Sequence, residues 1–331
     1  MQKTVAKNNQ DTFLKRLLRT DEMTTFIPLF AIIVITTIFR PDFLSARNFG
    51  AMFTQIPFLA ICCLGAAFPL MSGAGADIST GRVAGFAGII MGALIYNADM
   101  NPALAIIIAL LACMCVGLFN GFLSVHLGIP TFVATMAMLY IVGGARFLFI
   151  QGYELALARK DNFFLDDFFD GRYLGMPIYF WIMLLLFVVL FIIVKKTVWG
   201  RNMLAVGDNA EVAHLCGINS KKMQMEAFTL CSLLAGIAGI VFTLDTALAQ
   251  PETGDGWEFR AIAGCVVGGV SLSGGKCSPL GILIGITLVF VAENAIIFLG
   301  LPSTLREAVK GVLMAGAVLF DIFRNSRKVS E

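Results

Sequence analysis

The sequence predicts an all-α, polytopic membrane helical bundle of about ten transmembrane helices, some of them broken or re-entrant. Three observations lead there. Of 331 residues, 58% are hydrophobic and only 14% charged, where a soluble domain runs near half apolar and a quarter charged. Mean hydropathy is +0.85. The apolar residues fall in long blocks separated by short polar, glycine-rich or proline-marked stretches.

Taken in order, residues 1–24 carry Lys3, Lys7, Lys15, Arg16 and Arg19 and read as a cytoplasmic tail with no signal-peptide cleavage site. The transmembrane region covers 25–322. Its spans are expected near 25–39, 51–71, 83–97, 102–123, 130–150, 178–194, 225–244, 260–272, 279–299 and 302–322. Several are shorter than the ~20 residues that cross ~30 Å of hydrocarbon, hence the expectation of broken segments. Between them lie an acidic loop, 151–177, and a polar central loop, 195–224. A basic tail, 323–331, closes the chain.

Orientation follows from the basic residues. About fifteen Lys and Arg lie in the termini, around 82, in 195–222 and at 276, against about seven on the opposite side. Both termini and the central loop are then cytoplasmic, and the 151–177 loop lies outside. The net charge of +2 gives no reason to expect nucleic acid. Eight cysteines without a CxxC pair, and two histidines, leave no metal site of usual spacing.

Small residues recur at four-residue spacing: Gly81/Gly85, Gly88/Gly92, Gly117/Gly121, Gly264/Gly268 and Gly281/Gly285. Such pairs let helix backbones approach closely in lipid, and tight packing within one chain is the expected use. GADISTGR (75–82) echoes GVSLSGGK (269–276), which leaves a duplicated half and a chance likeness of glycine-rich loops both open. LSGGK (272–276) imitates a nucleotide-binding signature, but its spacing is wrong for a phosphate loop and Cys277 stands where Ser or Thr would hold Mg²⁺. It reads as a tight interhelical turn.

Within the central loop, Gly207-Asp208-Asn209 is a turn signal. Asn209 suits an N-cap, Glu211 the first turn and Gly217 the C′ position of a short helix over about 209–217. Among intramembrane charges, Glu293 beside Asn294 is the most deeply placed. It either faces a polar path or pairs with a charge such as Arg146 or Lys310, or else is a buried structural carboxyl.

Four blocks resemble one known family. They are GAGADISTGRVAGFAGIIMGAL (73–94), GLFNGFLSVHLGIPTFVATMAMLYIVGGA (117–145), the central loop with Gly200-Arg201, Ala205, Gly207, Asn209, Glu211, Ala213 and Gly217-Ile218, and IAGCVVGGVSLSGGKCSPLGILIG (262–285). The chain resembles the permease subunit of bacterial ABC importers of the ribose/xylose/arabinose/galactose and autoinducer-2 type. It departs from the family pattern at Thr80 (for Val), Arg82 (for Ser), Asp208 (for Gly), His214 (for Arg) and Cys277 (for Gly).

The resemblance implies a transport subunit of the bacterial inner membrane rather than an enzyme, with the 151–177 loop periplasmic. It has no cofactor of its own, because ATP-Mg would be bound by a partner cytosolic ABC ATPase. A periplasmic solute-binding protein and a second permease subunit would complete the importer. The solute would be a neutral, sugar-like small molecule, with autoinducer-2, inositol or a nucleoside as alternatives and an ion-coupled secondary carrier as the competing class. Arg201, Gly207, Asn209, Glu211, Ala213 and Gly217 would couple to the ATPase. Asp77, Asn120, Thr135 and Asn294 are candidate groups along the solute path.

Overall fold

A computed structural model describes residues 21–150, 154–157 and 171–302, with six further positions between 305 and 316. The expected tails and most of the 151–177 loop and 302–322 span lie outside these residues. The helices are α1 (Asp21–Phe39), α2 (Ala46–Met71), α3 (Thr80–Ala98), α4 (Pro102–Gly121), α5 (Thr131–Ile150), α6 (Ile178–Lys196), α7 (Val198–Asp208), α8 (Ala210–Leu215), α9 (Ser220–Thr246), α10 (Trp257–Val267) and α11 (Pro279–Phe298). Two-residue strands pair Leu155–Ala156 with Leu248–Ala249 and Arg172–Tyr173 with Met176–Pro177.

Among the described residues, seven helices are long and apolar enough to cross a membrane, and Thr25–Phe39 forms a shorter apolar helix. Seven of the ten expected spans are therefore met there. One expectation is corrected: the segment at 260–272 is not a span. Helix α10 has 11 residues, ~16 Å of helix, about half of what the hydrocarbon requires. It ends at Gly268, and irregular chain runs from there to Ser278 before α11 begins. The LSGGK segment is this turn between helices.

The bundle is built around α9, which packs against α2, α3 and α4. Glycine decides how closely. A Cβ at Gly239 of α9 would strike the backbone carbonyl oxygen of Ala84 in α3, and one at Gly117 of α4 would strike that of Phe228. The α10 and α11 pairs meet face to face: a Cβ at Gly285 would hit the Gly264 carbonyl, and one at Gly281 the Gly268 carbonyl. The four-residue glycine spacing thus serves intrachain packing, where backbone contact replaces the hydrophobic drive that lipid removes. Around it, α2 supplies a buried run from Pro57 to Met71 to the main core.

Candidate coupling helix and solute path

One end of the bundle carries α7 and α8. The ends of α2 and α6, the start of α9 and four lysines, Lys195, Lys196, Lys221 and Lys222, gather there. The central loop is more helical than its turn signal suggested. Helix α7 continues through Gly207 and Asp208, and only Asn209 is extended, with φ −156° and ψ 106°. The reason is local: the Asn209 side chain accepts from the N–H groups of Glu211 and Val212, both at 3.0 Å, so it caps a new helix where the old one stops.

Helix α8 closes as the glycine predicted. Gly217 has φ +83°, its N–H donates to the His214 carbonyl (2.9 Å), and the Ile218 N–H donates to that of Ala213 (3.0 Å). That pair of bonds is a Schellman cap. Ser220 Oγ donates to the Ala210 carbonyl (2.8 Å) and Trp199 Nε1 to Glu226 Oε2 (2.7 Å), tying α8 and α7 to α9. A six-residue helix is thereby held rigidly at the bundle's end.

The six coupling residues separate into two groups. Arg201, Asn209, Glu211 and Gly217 are exposed, whereas Gly207 and Ala213 are buried. Gly207 sits where α7 meets the end of α2 and the 268–278 segment: a Cβ there would collide with the Met71 carbonyl oxygen and lie 2.5 Å from the Gly275 amide nitrogen. The Gly275 N–H donates to that Met71 carbonyl (3.1 Å). Gly73, just past the end of α2, and Gly274 and Gly275 of the 268–278 segment thus close around one glycine. What the sequence reading missed is the outward apolar pair of α8. Val212 is 54% and Leu215 85% exposed, while Ala213 faces inward. Their i, i+3 spacing in an otherwise polar loop was the available signal.

Three of the four path candidates come together. Asp77 Oδ1 accepts from Ser79 N (2.8 Å) and Ser79 Oγ (2.6 Å), and Asp77 Oδ2 accepts from Asn120 Nδ2 (3.3 Å). Thr135 Oγ1 accepts from the Ile78 N–H (3.3 Å). All three are at most 1% exposed. In this conformation they lock the 72–79 break between α4 and α5. Asp77→Ala would orphan the Ser79 and Asn120 donors, so purified permease should lose ~1–3 kcal/mol of stability. Thermal denaturation in detergent checks this; unchanged stability with lost uptake would put Asp77 on the path instead.

Asn294 lies apart, half-buried, and donates to Asn48 Oδ1 (2.9 Å). Its neighbour Glu293 lies against Arg260, not against Arg146, and Lys310, the other partner expected from sequence, lies outside the described residues. Arg260 Nε lies 3.1 Å from Glu293 Oε1, because α10 and α11 pack glycine to glycine and bring those faces together. Arg146 is instead fully buried against Asp255 Oδ1 (2.8 Å) and the Thr253 carbonyl (2.7 Å). Arg82, a departure from the family pattern, reaches the same Asp255 oxygen at 2.5 Å.

A short exposed helix fastened between membrane helices, glycine-packed spans and a buried polar break are the parts of a transport subunit. The family model for the permease component of branched-chain amino acid transport systems matches residues 48–318. The chain belongs to this permease family. The permease is 32% identical over 303 residues to an L-arabinose ABC transporter permease protein of Azospirillum brasilense, covering 92% of this chain and 87% of the relative. It is 31% identical over 296 residues to a ribose import permease protein of Bacillus subtilis, covering 89% and 91%. An autoinducer 2 import system permease protein of Photorhabdus luminescens matches at 28% over 308 residues, covering 93% and 92%. No solved structure matches. The permease is a multi-pass membrane transport subunit, and its relatives are permease subunits rather than ATPases.

Proposed function

We propose that this permease is the membrane subunit of an ATP-driven, binding-protein-dependent importer of a neutral monosaccharide of the ribose type. The observation that carries the ATP-driven part is α8: an exposed Val212/Leu215 pair on a capped helix at the lysine-rich end. By the positive-inside bias that end is cytoplasmic. There α8 inserts into a groove of a cytosolic ATPase, with Arg201, Asn209, Glu211 and Gly217 at the rim, and Gly207 and Ala213 supporting it from within. The same bias places both termini in the cytoplasm.

The substrate class rests on the relatives' names, two of which are pentose permeases and one an autoinducer 2 permease. The autoinducer relative supports a second reading, the same importer for another small polyol. A periplasmic solute-binding protein would deliver the solute, and a second permease subunit would complete the membrane pathway. Uptake of labelled D-ribose or L-arabinose by cells is expected to survive a protonophore and to stop on deletion of the partner ATPase. Uptake that collapses with the protonophore and persists without the ATPase would mark a secondary carrier.

A further inference from the structure

Two adjoining clefts of about 220 and 310 Å³ run along α2, α10 and α11 toward the end opposite α8. They share Gln55, Arg260 and Phe290, so they form one groove. Its polar groups come from four elements: Gln55 of α2, Asp245 near the end of α9, Arg260 of α10, and Glu293 and Asn294 of α11. Trp257 and Phe290, both half-buried, supply apolar wall.

These residues sit on helices whose other surfaces are apolar. Gln55 lies ~13 Å along α2 from its first residue. Charged side chains in membrane segments almost always face a partner or a water-filled space rather than lipid. Arg260 and Glu293 have partnered each other, yet their side chains remain 24% and 11% exposed, and both border the groove. That residual exposure beside a paired charge fits a water-filled groove. Small-molecule clefts run from roughly 300 Å³ upward, and the larger cleft meets that size.

Its chemistry selects among solutes. The side chains offer carboxylate and amide acceptors, amide and guanidinium donors, and aromatic surface. One cation stands among two carboxylates, which disfavours an anionic solute. A neutral polyol presents many hydroxyls and C–H faces, and it satisfies this set without desolvating a charge of its own.

We infer that this groove is a solute-binding station on the far side of the pathway, holding a neutral monosaccharide by Gln55, Trp257 and the Arg260–Glu293 pair. The inference rests on the proposed sugar-importer reading and adds the location of the site. Its wall helix α10 continues directly into the 268–278 segment that touches Gly207 beneath α8.

The test uses cells carrying the complete importer and labelled D-ribose and L-arabinose. Gln55→Leu and Trp257→Leu should each lower uptake about tenfold or more, the loss expected for a missing solute contact. Co-purification of the ATPase should stay at wild-type level. Uptake by both variants within about twofold of wild type overturns the site. The second measurement is independent of transport. With the exposed Cys115 and Cys216 changed to Ser, the Gln55→Cys variant should react with a membrane-impermeant thiol reagent added outside. Failure of the membrane-inserted Gln55→Cys variant to react overturns the groove, whether or not the ATPase is assembled with it. If the wild type takes up neither sugar while the Gln55→Cys variant reacts, the wet groove stands and the sugar reading falls.

Discussion

Leu215→Asp leaves the permease inserted and folded but separates it from its ATPase. Leu215 is 85% exposed at the tip of α8 and contributes little to the permease's own packing, so its loss costs the isolated chain little. In the proposed complex it is a central apolar anchor. Truncating such an anchor typically costs at least ~2 kcal/mol of binding, and a carboxylate that must be desolvated in an apolar groove costs more. Co-purification should drop more than about tenfold, and uptake with it, while the amount of permease in the membrane and its melting temperature in detergent stay near wild type. Val212→Asp should act in the same direction. Wild-type recovery of the ATPase by both variants would remove α8 from the coupling interface.

Gly207→Val is expected to fail in the opposite way. The new side chain would enter the space held by the Met71 carbonyl and the Gly275 amide, which are backbone groups hydrogen-bonded to each other at 3.1 Å. Neither can swing aside as a side-chain tip can, and the bond between them would be lost with the packing. We expect ~3 kcal/mol or more of destabilisation. The purified permease, without any ATPase present, should show a markedly lower melting temperature or fail to accumulate. A stable Gly207→Val chain that merely loses the ATPase would place Gly207 on the coupling surface itself. Measured side by side, the two variants separate a residue that touches the partner from one that seats the helix which does.

This distinction marks how much of the site could be read in advance. The cap residues of α8 were legible because their chemistry is local. Asn209 needs only the two N–H groups that follow it, and Gly217 only its own φ of +83°. Gly207 carried the same sort of local signal and was read as a turn, yet α7 runs straight through it. Its absent side chain answers to Met71 and Gly275, distant in sequence. Asp77, Asn120 and Thr135 were expected only as groups along the solute path, and the bonds from Asn120 to Asp77 and from Ile78 N–H to Thr135 appear only when α4 and α5 close over the 72–79 break. Arg260 as a partner of Glu293 was not legible for a similar reason. Arg260 comes within 3.1 Å because Gly264 and Gly268 meet Gly281 and Gly285, a register that no single stretch of sequence records.

By itself the sequence determined that this is a membrane-embedded helical protein, where its lysines and arginines cluster, how α8 is capped, and the family to which it belongs. Those properties follow from composition, the placement of lysine and arginine, and short-range cap and glycine chemistry, all of which act within a few residues. Only the tertiary structure decided that the half-length α10 replaces a full span, and that Gly207 is buried beneath the helix it seats. It alone brought Gln55, Arg260 and Glu293 to the wall of one groove. Each of these depends on which backbones approach one another, and in lipid that is settled by close packing across the whole bundle rather than by the hydrophobicity of any one helix.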